Sequence, residues 1–147
     1  MTTPSAAFSG TFGDYELSTD RARLDVDRVE AMLRASYWAA ERPREVIEKS
    51  IAGSLCMGAY QRSDGLQVGF ARLVTDYATF GWLCDVFVDP VARGQRLGVA
   101  MVEALVMMPE VRGLNLVLQT ADAHSLYERF GFAPLWNPER WMYKPRS

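Results

Sequence analysis

Histidine occurs once in this 147-residue sequence and cysteine only twice, as His124, Cys56 and Cys84. A zinc centre needs about four close-set Cys or His ligands, and one imidazole with two distant thiols cannot supply them, so no metal is expected. Both cysteines sit in apolar runs, which points to buried thiols in a reducing compartment and excludes a disulfide scaffold. Excess positive charge is also missing. Sixteen Lys and Arg stand against 18 Asp and Glu, for a net charge of −2. A duplex-binding module is normally basic, so nucleic acid is not expected as a partner. No run approaches the about 18 apolar residues of a membrane span. Met1–Gly10 carries neither the basic stretch nor the apolar core of a secretory leader. These absences together predict a cytoplasmic protein without membrane contact.

What remains is an ordinary globular composition, 49% hydrophobic and 23% charged. At about 150 residues per domain, the length predicts one domain. Residues 1–11 are small and polar and read as a flexible lead-in, leaving 12–147 as the single domain. A strand is expected over Asp14–Ser18. Val26, Val29, Met32 and Leu33 make a helical stripe over Asp25–Ser36, and Pro43 opens a second helix that Gly53 stops. Leu55–Tyr60 and Leu66–Val74 form a hairpin around Ser63-Asp64-Gly65. Trp82–Val88 is nearly all apolar, as in a strand covered on both faces, with Asp85 its only charge. A mostly buried helix then runs to Met108, followed by a strand over Leu114–Gln119 and a short helix over Asp122–Phe130 that Gly131 ends. Asp122 reads as that helix's N-cap. Phe132–Leu135 and Arg140–Lys144 are expected to close the sheet. The order βααβββαβαββ describes an α/β fold, a mixed sheet flanked by helices on both faces.

The stretch from Val86 to Val99 carries the most chemical information. A buried strand feeds a glycine-bearing loop that opens a buried helix. The first-turn N–H groups of that helix have no internal acceptor, and its dipole favours an anion there. Gly94 and Gly98 let the backbone approach a ligand, and Arg93 and Arg96 add two cations suited to phosphate oxygens. An anion site for a pyrophosphate is the expectation, against the plainer alternative of a helix cap with two solvated arginines. A P-loop is excluded because no lysine or hydroxyl follows Gly98. A dinucleotide fingerprint fits poorly because Gly94 lies six residues past Val88.

Arg93-Gly94-Gln95-Arg96-Leu97-Gly98 resembles motif A of the GNAT superfamily of acetyl-CoA-dependent N-acyltransferases, with Arg93 and Gly98 at its first and last positions and Arg96 where the middle glycine is usual. Leu126-Tyr127-Glu128-Arg129-Phe130-Gly131-Phe132 is similar to the family's second signature. The element order is also the family's from about residue 14 onward. The resemblance implies a GNAT-like fold, acetyl-CoA as cosubstrate without a metal, and direct transfer of acetyl to an amine acceptor. It implies that the backbone of Val86, Phe87 and Val88 pairs with the pantetheine arm and that Arg93, Gly94, Gln95, Arg96, Leu97, Gly98 and Val99 hold the pyrophosphate. Thr120 stands where many relatives have a CoA-contacting asparagine. Tyr127 matches the tyrosine that protonates the leaving thiolate, its plain alternative being packing beside Leu126 and Phe130.

Asp85 matches an acid that faces the acceptor amine in the polyamine acetyltransferases, whose strand resembles Leu83-Cys84-Asp85-Val86-Phe87-Val88. A structural hydrogen bond to a neighbouring loop is its alternative role, because a buried acid needs compensation. Cys84 as an acyl carrier would need an activating base, and a buried thiol is the simpler reading. His124, three residues before Tyr127, is a candidate proton relay or a solvated surface residue. Tyr37, Trp38, Asp76 and Tyr77 sit on loops that border the acceptor cleft in this fold, an aromatic wall with an acid suited to a small cationic amine. Trp136, Trp141 and Tyr143 fit either an edge cover or a homodimer contact. The function expected is N-acetylation of a small-molecule primary amine. The rival readings are a silent acyl-CoA-binding regulatory module, acetylation of a protein amine, and a nucleotide-binding oxidoreductase fragment.

Overall fold

A computed structural model describes residues 7–146. Strand β1 (Ser9–Phe12) turns back into β2 (Tyr15–Ser18), and helices α1 (Val26–Arg34) and α2 (Arg44–Ala52) follow. Next come the meander β3 (Leu55–Gln61), β4 (Gln67–Thr75) and β5 (Phe80–Val88), the crossover helix α3 (Leu97–Met107), strand β6 (Asn115–Leu118) and the short helix α4 (His124–Glu128). The six strands lie in sequence order across one sheet. They are antiparallel from β1 to β5, and β5 and β6 are parallel.

The strands alternate between two covered faces. Met57, Ala59, Val68, Leu73 and Leu83 face α3, where they meet Leu97, Met101, Val102 and Leu105. Cys56, Phe70 and Phe87 face the other way, against Val29, Met32 and Leu33 of α1 and Ile47 and Ile51 of α2. Gly69 lets α3 settle on β4, since a Cβ there would lie 2.9 Å from Met101 Sδ and from Ala59 Cβ. The mixed sheet with helices on both faces is therefore as expected.

Two ends of the chain depart from expectation. Residues 1–6 of the anticipated lead-in lie outside the described residues, but Ser9–Phe12 pairs fully with β2. The cause is a two-residue hairpin loop at Gly13-Asp14, with Gly13 at φ 55° as such a turn demands. At the other end, Phe132–Leu135 and Arg140–Lys144 do not form strands. Pro134 lacks a ladder donor, and Pro138 opens a 3-10 turn at Pro138–Arg140 between the two segments. Side chains there stay exposed, Trp136 at 86% and Met142 at 98%. Helix α4 is shorter than expected and Asp122 does not cap it. Thr120 Oγ1 accepts from the Ala123 N–H at 3.0 Å instead. Gly131, at φ 90°, ends the turn after α4 as expected.

Candidate active site

The site begins where β5 and β6 part. Their parallel register runs from Phe80↔Asn115 to Leu83↔Leu118 and stops there. On the other side of β5, pairing with β4 jumps from Arg72↔Cys84 to Phe70↔Phe87, so Asp85 and Val86 together oppose Ala71 alone. This is a β-bulge, and Asp85 takes a left-handed φ of 54° within it. The bulge bends the end of β5 away from β6 and leaves the backbone from Asp85 to Val88 unpaired with β6, the Val88 carbonyl accepting from Arg93 Nε instead.

A cleft of about 630 Å³ fills the opening, with Trp82, Cys84, Asp85 and Val86 on one side and Gln119, Thr120 and Tyr127 on the other. Tyr37, Trp38 and Arg42, from the connection between α1 and α2, form its outer wall with Tyr143 and Arg146. Tyr37 and Trp38 meet edge to face, 5.0 Å between ring centroids. Burial pushes the Tyr127 phenol above its ordinary value, so the group keeps its proton at neutral pH. The cleft thus brings together Tyr37, Trp38, Asp85, Val86, Thr120 and Tyr127 of the anticipated residues.

Asp85 is the most constrained of them. Trp38 Nε1 donates to its Oδ1 at 2.9 Å, while Arg42 Nη1 and Arg72 Nε donate to its Oδ2 at 2.6 and 2.9 Å. Arg72 Nη1 continues to Ser54 Oγ at 3.0 Å. Burial by itself would raise the Asp85 carboxyl, but the Arg42 hydrogen bond and the Arg72 charge outweigh it and hold the group below its usual range. Burial pushes the neighbouring Cys84 thiol up to about 11, so it stays protonated and is a poor nucleophile.

Beyond Val88 the chain makes a 3-10 turn at Pro90–Ala92, capped by Asp89 Oδ1 accepting from the Val91 N–H at 3.0 Å. The turn is anchored to α1 through Arg28, whose Nη2 donates to Asp89 Oδ2 at 2.8 Å and whose Nε donates to the Gln67 carbonyl at 3.0 Å. Gly94 follows at φ 82°, and Arg96 takes the α3 N-cap position at φ 63° without a side-chain cap. Nothing lies within 4 Å of where a Gly94 Cβ would be, and only Val88 Cγ2, at 3.5 Å, approaches that of Gly98. The first intrahelical bond runs from Ala100 N–H to the Arg96 carbonyl, so the amides of Leu97, Gly98 and Val99 precede the helical ladder. The left-handed turn at Arg96 explains why glycine suits that position in the motif. Arg93 is partly committed elsewhere. Its Nε donates to the Val88 carbonyl at 2.9 Å, and its guanidinium lies 5.3 Å from the Phe87 ring centroid.

Two anticipated placements are corrected. Asp76 and Tyr77 are not among the cleft's lining residues, because they form the tight β4–β5 connection. Asp76 takes hydrogen bonds from the Thr79 side chain and from the amides of Ala78, Thr79 and Phe80, which hold its carboxyl far below its usual range. His124 does not line the cleft either. It borders an adjoining groove of about 400 Å³ beside β6, which has Gln119, Thr120 and Tyr127 in common with the cleft. Arg42, Arg72 and Trp82 were not anticipated. One signal was available for Arg72: it is the only charge within β4, as Asp85 is within the adjacent β5.

Comparison with known proteins identifies the arrangement. The family model for the acetyltransferase (GNAT) domain matches residues 52–134. A candidate acetyltransferase of Gibberella zeae is 32% identical over 139 residues, covering 80% of this chain and 77% of that protein. The crystal structure of a candidate GNAT-family acetyltransferase from Xanthomonas campestris pv. campestris superposes with a TM-score of 0.85 at 39% identity, over 90% of this chain and 93% of that one. A predicted acetyltransferase from Clostridium acetobutylicum, crystallised with acetyl-CoA, shares the fold at a TM-score of 0.62 and 14% identity, over 89% of this chain and 94% of its own.

Proposed function

The chain belongs to the GNAT family of acetyltransferases, and from that premise we propose that it transfers an acetyl group from acetyl-CoA directly to a primary amine of a small molecule. The observation that carries the reading is the gap between β5 and β6, lined by Asp85, Val86 and Tyr127, with the helix that follows β5 left without a side-chain cap at its N-terminus. The cosubstrate supplies an activated acetyl group, and the surrounding residues fit it. Amides of Leu97, Gly98 and Val99 present donors and the positive end of a helix to a diphosphate, with Gly94, Gln95, Arg96 and Arg93 around them. The backbone of Val86, Phe87 and Val88, unpaired with β6, accommodates the pantetheine arm as an added strand would lie, with Arg93 shifting off the Val88 carbonyl. The bulge puts free backbone polarity beside the carbonyl to be attacked, where a developing oxyanion is stabilised. Tyr127, protonated at neutral pH, donates to the leaving sulfur. Tyr37, Trp38, Trp82 and Tyr143 enclose the acceptor.

The acetyltransferase domain spans residues 12–147, with β1 extending it back to Ser9. A cytoplasmic setting suits the two free thiols of Cys56 and Cys84. Trp136, Trp141 and Tyr143 remain candidates for a homodimer contact. The test is acetyl-CoA-dependent release of free thiol across a library of small amines and lysine peptides. One small amine turned over well above the peptides supports the proposal, while preference for the peptides overturns the small-molecule assignment. Tight acetyl-CoA binding without any acceptor would favour a regulatory module. Tyr127→Phe should lower kcat by about 100-fold with acetyl-CoA affinity unchanged, and full turnover would remove the acid role.

A further inference from the structure

The acid that motif comparison places opposite the acceptor amine is fully engaged by the protein itself. Asp85 is 4% exposed. Its two oxygens receive three hydrogen bonds, all from donors that are charged or indolic. The groups around it are Arg42 and Trp38 from the α1–α2 connection, Arg72 from β4, and the thiols of Cys84 and Cys56. Two arginines share this one carboxylate, so protonating it would leave the buried Arg72 and the partly buried Arg42 without an anion. A group in that setting cannot shuttle protons to and from an amine.

The same three bonds do mechanical work at two places. Asp85 sits at φ 54°, a conformation that L-residues adopt at a cost and keep only where the surroundings enforce it. Arg72 reaches it from the adjacent strand, so the carboxylate is tied to the sheet across the bulge. Trp38 and Arg42 reach it from a loop over 40 residues earlier in the chain, so the same carboxylate also fixes the outer wall of the cleft. One of those ties is through Trp38, which lines the cleft and packs toward Phe87 at 6.3 Å between ring centroids.

We propose that Asp85 is a positioning residue rather than the general base: gripped by Arg72 on one side and by Trp38 and Arg42 on the other, its carboxylate locks the Asp85–Val86 bulge and pins the acceptor wall over it. The proposal rests on the acetyltransferase reading. It follows that Arg42, which exchanges no proton with the substrate, matters as much to acceptor turnover as Asp85 does. It also follows that the proton of the acceptor amine goes to a group other than Asp85.

The experiment compares Asp85→Asn, Arg42→Gln, Arg42→Lys and the double variant Asp85→Asn/Arg42→Gln. Each is assayed with the best amine from the library screen and with its weakly basic alkoxyamine counterpart, which is neutral at the assay pH. Acetyl-CoA affinity is measured alongside by calorimetric titration. Expected is a loss of at least tenfold in acceptor kcat/KM for both Asp85→Asn and Arg42→Gln, with partial rescue in Arg42→Lys. The double variant should be no worse than the poorer single one, as for groups acting through one interaction. The loss should persist with the alkoxyamine. A base would behave otherwise: Asp85→Asn alone would be impaired, and its deficit would vanish with the amine that needs no deprotonation. That result, or full activity in Arg42→Gln, overturns the proposal. If Asp85→Asn does not fold, the pair Arg42→Gln and Arg42→Lys decides between the same two outcomes. Failure of the parent protein to bind acetyl-CoA would instead overturn the acetyltransferase reading.

Discussion

The two faces of the sheet are built by different rules. Against α3 the sheet packs the larger apolar cluster among the described residues, with Met101, Val102 and Leu105 fully buried in it. Against α1 and α2 the apolar core is smaller, and both buried charged residues among the described residues, Arg72 and Asp85, belong to this side together with Ser54. The α3 face carries stability and tolerates little change in volume. The polar face gives up part of that stability for directionality, because hydrogen bonds fix orientation in a way that apolar contacts do not. The cleft lies where the polar face reaches the gap between β5 and β6.

The sharpest way to break the contrast is Asp85→Ala. It leaves two arginines facing no anion, and losing one partner of a buried ion pair costs about 3–5 kcal/mol. The effect should depend on pH in one direction. A carboxyl held below its unfolded value contributes stability that is complete above an ordinary pKa of about 4 and is lost as pH falls through the lower folded value. The gap in melting temperature between parent and Asp85→Ala should therefore be full at neutral pH and shrink in acid. An equal gap across that range would contradict the ion-pair account.

Leu105→Ala tests the α3 face. At 1% exposure its truncation should cost about 2–5 kcal/mol by denaturant unfolding. Acceptor kcat/KM in the surviving folded fraction should stay near that of the parent, since no polar link runs from Leu105 to the cleft. A matching drop in kcat/KM would erase the division of labour between the faces.

Arg96→Gly should have the smallest effect and the opposite sign. Arg96 holds φ 63° at the α3 N-cap, and a left-handed L-residue costs about 1–2 kcal/mol. Glycine removes that cost but adds freedom to the unfolded chain, worth about 0.4–1 kcal/mol the other way. The net expectation is a gain of about 0.5 kcal/mol in folding stability, with acetyl-CoA affinity lowered because a cation beside the diphosphate is lost. A destabilised variant would mean that the Arg96 side chain does more than occupy the turn.

The readable parts of the chain were those whose cause is local. The stripe Val29, Met32, Leu33 produced α1, the apolar run Trp82–Val88 produced β5, and Gly131 ended the turn after α4. The glycine-bearing loop before α3 was legible as the start of a helix with unpaired first-turn amides, because these follow from helix geometry alone. The misreadings arose where a partner elsewhere decides. Ser9–Phe12 became a strand because β2 folds back on it, and Arg140–Lys144 remained outside the sheet despite its strand-like residues. Asp76, by contrast, is held by its own turn, through the Thr79 side chain and the amides of Ala78, Thr79 and Phe80.

By itself, the amino-acid order determined the succession of helices and strands from β2 to α4, the apolar faces and the loop that opens α3, because all of these depend on residues within a few positions of one another. Only the tertiary structure decided what Asp85 is attached to. Its partners come from positions 38, 42 and 72, and no periodicity links residues that far apart in the chain. Burial makes every such donor count, since a carboxylate removed from water must be satisfied by whichever groups the fold brings to it.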